Sequence, residues 1–199
     1  MKYQKGIWIP EKDTWYGWGE NFEGREYKKL QLTGNLCLDI GAHVGIWSKR
    51  LSKDFSQVIC FEPLGKHIVC HKKNCENLSN ITLHECALSD VESDSVMTTR
   101  DFNSGMSSLL ERRFKDKNEV VVKTKILDSF NLPKIDFIKI DVEGYEKQVL
   151  IGGKETILKW KPKIYIEIWP KNVNPISELL SSMGYSVKKM SGLNYLCEI

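Results

Sequence analysis

Along most of the chain after residue 35, short apolar runs alternate with stretches whose apolar positions recur every three or four residues. Apolar runs of this length are typical of buried strands, and the three-to-four spacing is typical of helices with one buried face. Strands are predicted at LCLDI (36–40), QVICFE (57–62), NITLHECAL (80–88), IDFIKID (135–141) and KIYIEIW (163–169), and as a closing hairpin of YSVKKM and NYLCEI.

The stretches between these runs predict helices. They include GIWSKRLSKDF, LGKHIVCHKKNCENL, the segment that ends at Trp160, and ISELLSSMGY. Strands that alternate with helices favour a mostly parallel sheet covered on both faces. The pattern therefore predicts a Rossmann-like α/β fold with a mostly parallel, seven-stranded sheet.

Two regions depart from this alternation. Residues 91–128 are largely polar apart from VVVKTKIL, which predicts an excursion that carries an extra strand pair. Residues 1–34 are rich in aromatic side chains and predict a cap that ends in a helix through FEGREYKKLQL. In this cap, Trp15 and Tyr16 either stack on a substrate as a lid or pack over the core. Residues 1–199 are predicted to form one domain with its core at 35–199.

Composition adds little to the pattern. A formal net charge of +3 on 199 residues is too weak to predict a nucleic-acid or membrane partner. The apolar runs are far shorter than the ~20 residues that cross a bilayer, and the N-terminal residues contain no secretion signal. We therefore expect a soluble, cytoplasmic protein whose six cysteines are reduced. Its oligomeric state stays open.

Four predicted core strands finish in an acid, namely Asp39, Glu62, Asp141 and Glu167. The ends of parallel strands share one edge of the sheet, where ligands of open α/β sheets bind. Four acids at that edge favour a ligand that carries hydroxyl groups or positive charge over ordinary solvated strand ends.

The loop after the first strand has the spacing D-x-G-x-x-x-G, in which Gly41 permits a tight turn and Gly45 lets the helix begin close to the loop. The dinucleotide fingerprint fails because His43 and Ile46 stand where it needs glycine, and no Gly-Lys-Ser/Thr of a phosphate loop follows. The loop is therefore not predicted to bind phosphate.

Glu62 lies 21 positions after Gly41. In nucleotide-binding sites, an acid ~20 positions after the glycine loop accepts hydrogen bonds from the ribose. Asp90 follows the third predicted strand, where it could accept from an adenine amino group. An adenosine without phosphate, beside several acids, points to S-adenosylmethionine, whose sulfonium and ammonium groups are cationic.

The segments LDIGAHVGIWS, FEP, ALSD, NSGMSSL, IDFIKIDVEGYEKQVLIGG and IEIWP resemble, in order and spacing, the FkbM-type S-adenosylmethionine-dependent methyltransferases over roughly residues 35–170. The resemblance implies a class I methyltransferase fold and O-methylation of a saccharide or glycosylated small molecule. It also implies cofactor contacts: Asp39, Gly41, His43 and Gly45 at the methionine part, Glu62 at the ribose, Leu88 with Asp90 at the adenine, and Pro63 as a further contact. The residues alone favour neither of two interpretations of His43, as a contact of the cofactor or as a loop residue without a role in binding.

Methyl transfer to oxygen requires an aligned hydroxyl and removal of its proton. Asp141 ends the strand predicted to neighbour the first, so we expect it to face the reacting methyl as the base, with Glu143 or Glu167 sharing the role. Glu146 is interpreted as a helix-start residue that meets the helix dipole. Mg²⁺ held by Asp141 and Glu167 is a less favoured alternative, because two-carboxylate matches are common by chance.

The acceptor is the least constrained part of the prediction. Asn103 and Ser107 offer neutral hydrogen bonding to a small hydroxylated acceptor, or they are ordinary polar loop residues. ERRFKDK and KWKPK support an alternative acceptor, RNA or another nucleotide-bearing molecule, but interleaved acids weaken that basic patch. A non-catalytic nucleoside-binding module is the third interpretation.

Overall fold

The structure is a computed structural model that describes residues 1–13, 27–100, 102–110 and 117–199. Trp15 and Tyr16, for which a lid and packing over the core are both predicted alternatives, lie outside the described residues. The strands in chain order are β1 (Lys2–Gln4), β2 (Ile7–Ile9), β3 (Gly34–Ile40), β4 (Phe55–Phe61), β5 (Ile81–His84), β6 (Ala87–Leu88), β7 (Ser93–Arg100), β8 (Lys117–Lys125), β9 (Phe137–Ile140), β10 (Lys163–Glu167), β11 (Ser186–Ser191) and β12 (Asn194–Glu198). The α-helices are α1 (Ile46–Leu51), α2 (Gly65–Asn74), α3 (Glu146–Gly152), α4 (Lys154–Trp160) and α5 (Val173–Ser182).

The main sheet has seven strands in the order β11-β12-β10-β9-β3-β4-β5. The five strands from β10 to β5 in that order are parallel, whereas β12 runs antiparallel to both β10 and β11. The predicted mostly parallel, seven-stranded sheet is therefore confirmed, including its closing hairpin. β3 and β9 are neighbours although about a hundred residues separate them, so the strand order reverses between them.

Side chains of β3 alternate between two cores. Leu36, Leu38 and Ile40 pack in a larger core with α3, α4 and α5, whereas Cys37 packs in a smaller core with Trp47 and other residues of the opposite face. A strand that is buried on both faces must be apolar at nearly every position, which is why LCLDI is a continuous apolar run up to Asp39. Helices cover both faces of the sheet, as the alternation predicts.

The predicted strand at residues 80–88 is wrong as a single element. Residues Ile81–His84 pair with β4 in the main sheet, but Ala87 and Leu88 leave that sheet and pair with Thr124 and Lys125 of β8. The break between the two pieces falls at the exposed Glu85. A separate three-stranded sheet, in the order β6-β8-β7, results.

The N-terminal hairpin of β1 and β2 is attached beside the first loop of the main sheet. The Asn74 side chain accepts a hydrogen bond from the Trp8 N–H at 2.7 Å and donates to the carbonyls of Trp8 and Val44 at 2.9 and 2.7 Å. One amide thus joins the hairpin, the end of α2 and the glycine loop. All six cysteines are free and buried, and no helix among the described residues is long and apolar enough to span a bilayer.

Gly41 sits where the ends of β3 and β9 meet. Its φ of 79° is in the left-handed region, and a Cβ atom at this position would clash with the carbonyl oxygen of Asp141. A side chain is therefore excluded twice, by backbone conformation and by the neighbouring strand end. The glycine loop packs directly on the backbone that carries Asp141.

Replacing Gly41 by Ala is expected to lower the free energy of unfolding by about 3 kcal/mol, because left-handed strain and the clash add together. Gly6→Ala is the matched control, since Gly6 has a φ of 88° and a methyl group added there would meet nothing within 4 Å. Gly6→Ala should cost only about 1 kcal/mol. Urea unfolding of the two variants measures the difference, and equal losses would contradict the close approach of the two strand ends.

Candidate active site

A cavity of about 320 Å³ opens at the carboxyl edge of the main sheet, where β3 and β9 end. The glycine loop, the segment after β4, β6, the loop after β7, and the ends of β9 and β10 supply its walls. The cavity lies at the reversal of strand order, where ligands of open α/β sheets bind.

Most residues predicted for the site line this cavity. Those that do are Gly41, His43, Glu62, Pro63, Leu88, Asn103, Ser107, Asp141, Glu143 and Glu167. Asp39, Gly45 and Asp90 are not part of the cavity wall. Asp39 is fully buried, Gly45 packs against Cys75 and His71, and Asp90 is exposed and accepts a hydrogen bond from the Ser89 hydroxyl at 3.0 Å.

Asp39 is held beneath the cavity by a buried lysine. The Lys139 Nζ lies 3.3 Å from Asp39 Oδ1 and 3.7 Å from Asp141 Oδ2, and it donates a hydrogen bond to the Gly41 carbonyl at 2.9 Å. Asp39 Oδ2 accepts a hydrogen bond from the Ser48 hydroxyl at 2.6 Å, whereas Oδ1 has the ion pair with Lys139 and, among the described residues, no hydrogen bond. A buried charge is costly unless it is paired, and Lys139 supplies the counter-charge of Asp39.

Glu62 is held by donors around both of its oxygens. Oε2 accepts from the His43 N–H at 2.9 Å, and Oε1 accepts from the Leu64 N–H and from His67 Nδ1, both at 3.0 Å. Burial alone would raise the pKa of Glu62, but His67 and the two backbone N–H groups outweigh it and lower the pKa below its ordinary value. Glu62 is therefore an ionised acceptor fixed in the cavity wall.

The three acids predicted for catalysis meet at one point. One oxygen each of Asp141, Glu143 and Glu167 lies within 4.8 Å of the others, and all three side chains are half-buried. Burial, together with the negative charges of Asp141 and Glu143, raises the pKa of Glu167 well above its ordinary value. Glu167 therefore keeps its proton at neutral pH, which relieves the repulsion within the group.

The loop that carries Asp141 and Glu143 has a strained backbone that neighbouring side chains stabilise. Glu143 has a φ of 58°, which is unusual for a residue other than glycine. Its carbonyl accepts a hydrogen bond from the buried Ser108 hydroxyl at 2.8 Å, and the Gly144 N–H donates to Glu146 Oε1 at 2.7 Å. Ser108 belongs to the loop after β7, so this bond joins the outer wall of the cavity to the acidic loop.

Glu146 does begin α3 as the sequence predicts, but it is more than a helix-start residue. It is fully buried, and its carboxylate folds back on the loop that precedes it. Burial raises the pKa of Glu146 to about 7. A carboxyl group in this position stabilises the loop geometry and titrates near neutral pH.

Lys139 and His67 complete the cavity wall, and the sequence analysis missed both. The signal for Lys139 was present, since a lysine inside the apolar run IDFIKID has to find a buried partner. His67 gave no such signal, because a histidine in the first turn of a helix is usually exposed. Burial, with the nearby charges of His67, Lys139 and Lys66, lowers the pKa of His43 well below its ordinary value, so His43 is neutral.

The sequence of this chain is similar to a known protein family and to several known proteins. A family model of the methyltransferase FkbM domain matches residues 39–187. Methyltransferase 1 of Beauveria bassiana is 24% identical over 176 residues, which cover 75% of this chain and 66% of the relative. The 2-O-methyltransferase NoeI of Sinorhizobium fredii is 30% identical over 152 residues, which cover 65% of this chain and 62% of the relative.

A solved structure of a methyltransferase FkbM from Methylobacillus flagellatus superposes with a TM-score of 0.60 at 18% identity. The superposition covers 85% of this chain and 45% of the other, so the two share a fold. The chain spans just under two thirds of the length of the two curated relatives and less than half of this structure.

Replacing Glu146 by Gln is expected to flatten the pH dependence of stability. The pKa of this carboxyl rises from an ordinary 4.5 to about 7 on folding. Between pH 4.5 and 7, Glu146 is ionised in the unfolded chain but keeps its proton in the folded protein. The free energy of unfolding therefore falls as pH rises, by up to about 3 kcal/mol. Glutamine does not titrate but can still accept the Gly144 hydrogen bond, so urea unfolding between pH 4.5 and 8 should show a smaller decline.

The same substitution at the exposed Glu155 is the control for this experiment and should leave the wild-type decline unchanged. If the Glu146→Gln protein loses stability with rising pH as steeply as the wild type, Glu146 does not carry this titration.

Proposed function

Because this chain belongs to the methyltransferase FkbM domain family, we propose that it transfers the methyl group of S-adenosylmethionine to a hydroxyl oxygen of a saccharide or glycosylated small molecule. The observation that carries the proposal is the meeting of Asp141, Glu143 and Glu167 at the edge of a cavity that the glycine loop also lines. Such an arrangement provides a base beside a site for a cationic methyl donor.

The residues of the cavity fit this cofactor. Glu62 is ionised and fixed, which suits hydrogen bonds from ribose hydroxyls, while Leu88 and Pro63 offer apolar surface for the adenine. When bound, the cofactor supplies a methyl group on a positively charged sulfur. The negative charges of Asp141 and Glu143, after β9, stabilise positive charge there.

Asp141 is the proposed general base. Glu167 retains its proton and hydrogen-bonds to Asp141, so it orients the Asp141 carboxylate instead of competing for the acceptor proton. A neutral hydroxyl is a weak acid, and a base held close to it removes the proton as the oxygen attacks. Glu143, in the same group, adds negative charge that favours a cationic donor.

The wall of the cavity favours a neutral acceptor over RNA. Among its described residues it contains one lysine, no arginine, and several uncharged polar side chains such as Asn103, Ser107, Tyr145 and Asn194. RNA recognition relies on cationic contacts to phosphates, and this wall offers few. A relative named as a 2-O-methyltransferase supports oxygen as the acceptor atom.

We propose that the reaction proceeds without a metal ion. The three carboxylates are close enough to approach one cation, but Lys139 lies 3.7 Å from Asp141 and opposes a second positive charge there.

The first test measures cofactor binding and then methyl transfer to an acceptor. Calorimetry should detect binding of S-adenosylhomocysteine at micromolar concentration. Radiolabelled methyl groups of S-adenosylmethionine should then pass to one or more members of a methyl glycoside panel and not to bulk RNA. EDTA should leave the rate unchanged. Absence of cofactor binding would refute the proposal. Methylation of RNA and of no methyl glycoside would identify RNA as the acceptor instead of a saccharide.

The second test concerns the base. Asp141→Asn is expected to bind S-adenosylhomocysteine within a few-fold of the wild type but to lose about 100-fold or more in turnover, because the amide cannot accept the proton. Asp94→Asn is the control, since Asp94 is 66% exposed in β7 and forms only a surface ion pair with Lys123. Turnover of Asp141→Asn equal to that of the control would remove Asp141 from the mechanism.

A further inference from the structure

Lys139 is the one lysine or arginine among the described residues that line the cavity. Its side chain is 5% exposed and points to the junction of the glycine loop and β9, where it donates to the Gly41 carbonyl. Asp39 approaches the Lys139 Nζ without reaching the cavity wall itself, whereas Lys139 is part of that wall. Asp141 lies 3.7 Å from the same Nζ. A positive charge is therefore fixed in the cavity wall directly beside its acids.

Four backbone N–H groups of the glycine loop are not available to an anion. The N–H groups of Gly41 and Ala42 both donate to the Phe61 carbonyl, at 3.1 and 3.0 Å, and that of Gly45 donates to Ala42. The His43 N–H donates to Glu62. These four donors are used inside the protein, so they do not contribute to the binding of an anionic group of a ligand.

From these observations we infer that Lys139 recognises the α-carboxylate in the methionine part of the cofactor, an inference that rests on the proposed use of S-adenosylmethionine. This carboxylate is the one anionic group of the cofactor. Among Glu62, Asp141, Glu143 and Glu167 it is repelled by each ionised acid unless a cation meets it.

The inference also fixes the direction in which the cofactor lies. With its carboxylate at Lys139, its ribose extends towards Glu62, and its sulfonium and ammonium groups lie near Asp141 and Glu143. Each charged group of the cofactor then lies next to a protein group of opposite charge. A charge-assisted contact of this kind strengthens binding by about 10- to 100-fold.

Calorimetry with S-adenosylmethionine and with its decarboxylated form tests the contact directly. Loss of the carboxylate makes the ligand more positive, so an acidic cavity without a specific contact would bind the decarboxylated form equally well or better. The wild-type protein is instead expected to bind S-adenosylmethionine about 10- to 100-fold more tightly. This preference is an affinity ratio and does not depend on the acceptor.

Two variants assign the preference to Lys139. Lys139→Met leaves the fully buried Asp39 without its counter-charge, so the double variant Asp39→Asn/Lys139→Met, which removes both charges, is measured beside it. In each variant that folds, the two ligands should bind within about threefold of each other. Lys134→Met is the matched control, because Lys134 is 72% exposed and pairs with Asp136 at 3.7 Å, and it should keep the wild-type preference.

Two results would overturn the inference while leaving the proposed function intact: no preference for the carboxylated ligand in the wild type, or a preference retained in the double variant. Failure of the wild-type protein to bind either ligand, or S-adenosylhomocysteine, would refute the proposed function and the inference together.

Discussion

The cavity depends on one constraint of the sheet, which is that the helices after β3 and β9 leave in opposite directions. Helix α1 follows β3 and packs Trp47 and Leu51 in the smaller core, whereas α3 follows β9 and packs Val149 and Leu150 in the larger one. Two adjacent strand ends whose chains diverge must leave a crevice between them. Since Gly41 rests on the backbone of Asp141, the two loops that border this crevice determine each other's position.

Concentrating acids at this crevice is electrostatically unfavourable, and the protein solves the problem differently for each acid. Asp39 is paired with Lys139 below the surface, and Glu62 is surrounded by N–H donors. Glu167 keeps its proton beside Asp141 and Glu143. The remaining negative charge lies on Asp141 and Glu143 after β9, and Lys139, 3.7 Å from Asp141, is the one cation that the described wall of the cavity places beside them.

The sequence predicts the sheet well because its strands are buried on both faces and therefore stand out as apolar runs. It also predicts the edge at which the acids gather, since parallel strands end together. It does not separate residues 80–88 into two strands, because both parts are buried in different sheets. Apolar character reports burial and not the identity of the neighbouring strand.

Side-chain roles are harder to predict than elements because their partners are distant in the chain. Lys139 and Gly41 are 98 positions apart, and only the fold brings them to 2.9 Å. Glu146 looks like any acid in a first helical turn, and its burial follows from how α3 packs beneath the loop. Asp90 was expected at the adenine from its position after a strand, but the chain leaves the main sheet before it, and the side chain is exposed.

The bond from Ser108 to the Glu143 carbonyl and the packing of Leu64 against Met97 and Val122 join the three-stranded sheet to the rest of the protein. Among the described residues, this sheet shares no backbone ladder with the seven-stranded one. Residues can therefore be inserted into or removed from the β7–β8 connection without shifting the register of β3, β4 or β9. Evolution can reshape the outer wall of the cavity while inheriting the inner wall unchanged, which makes this fold a versatile scaffold for diversifying substrate choice.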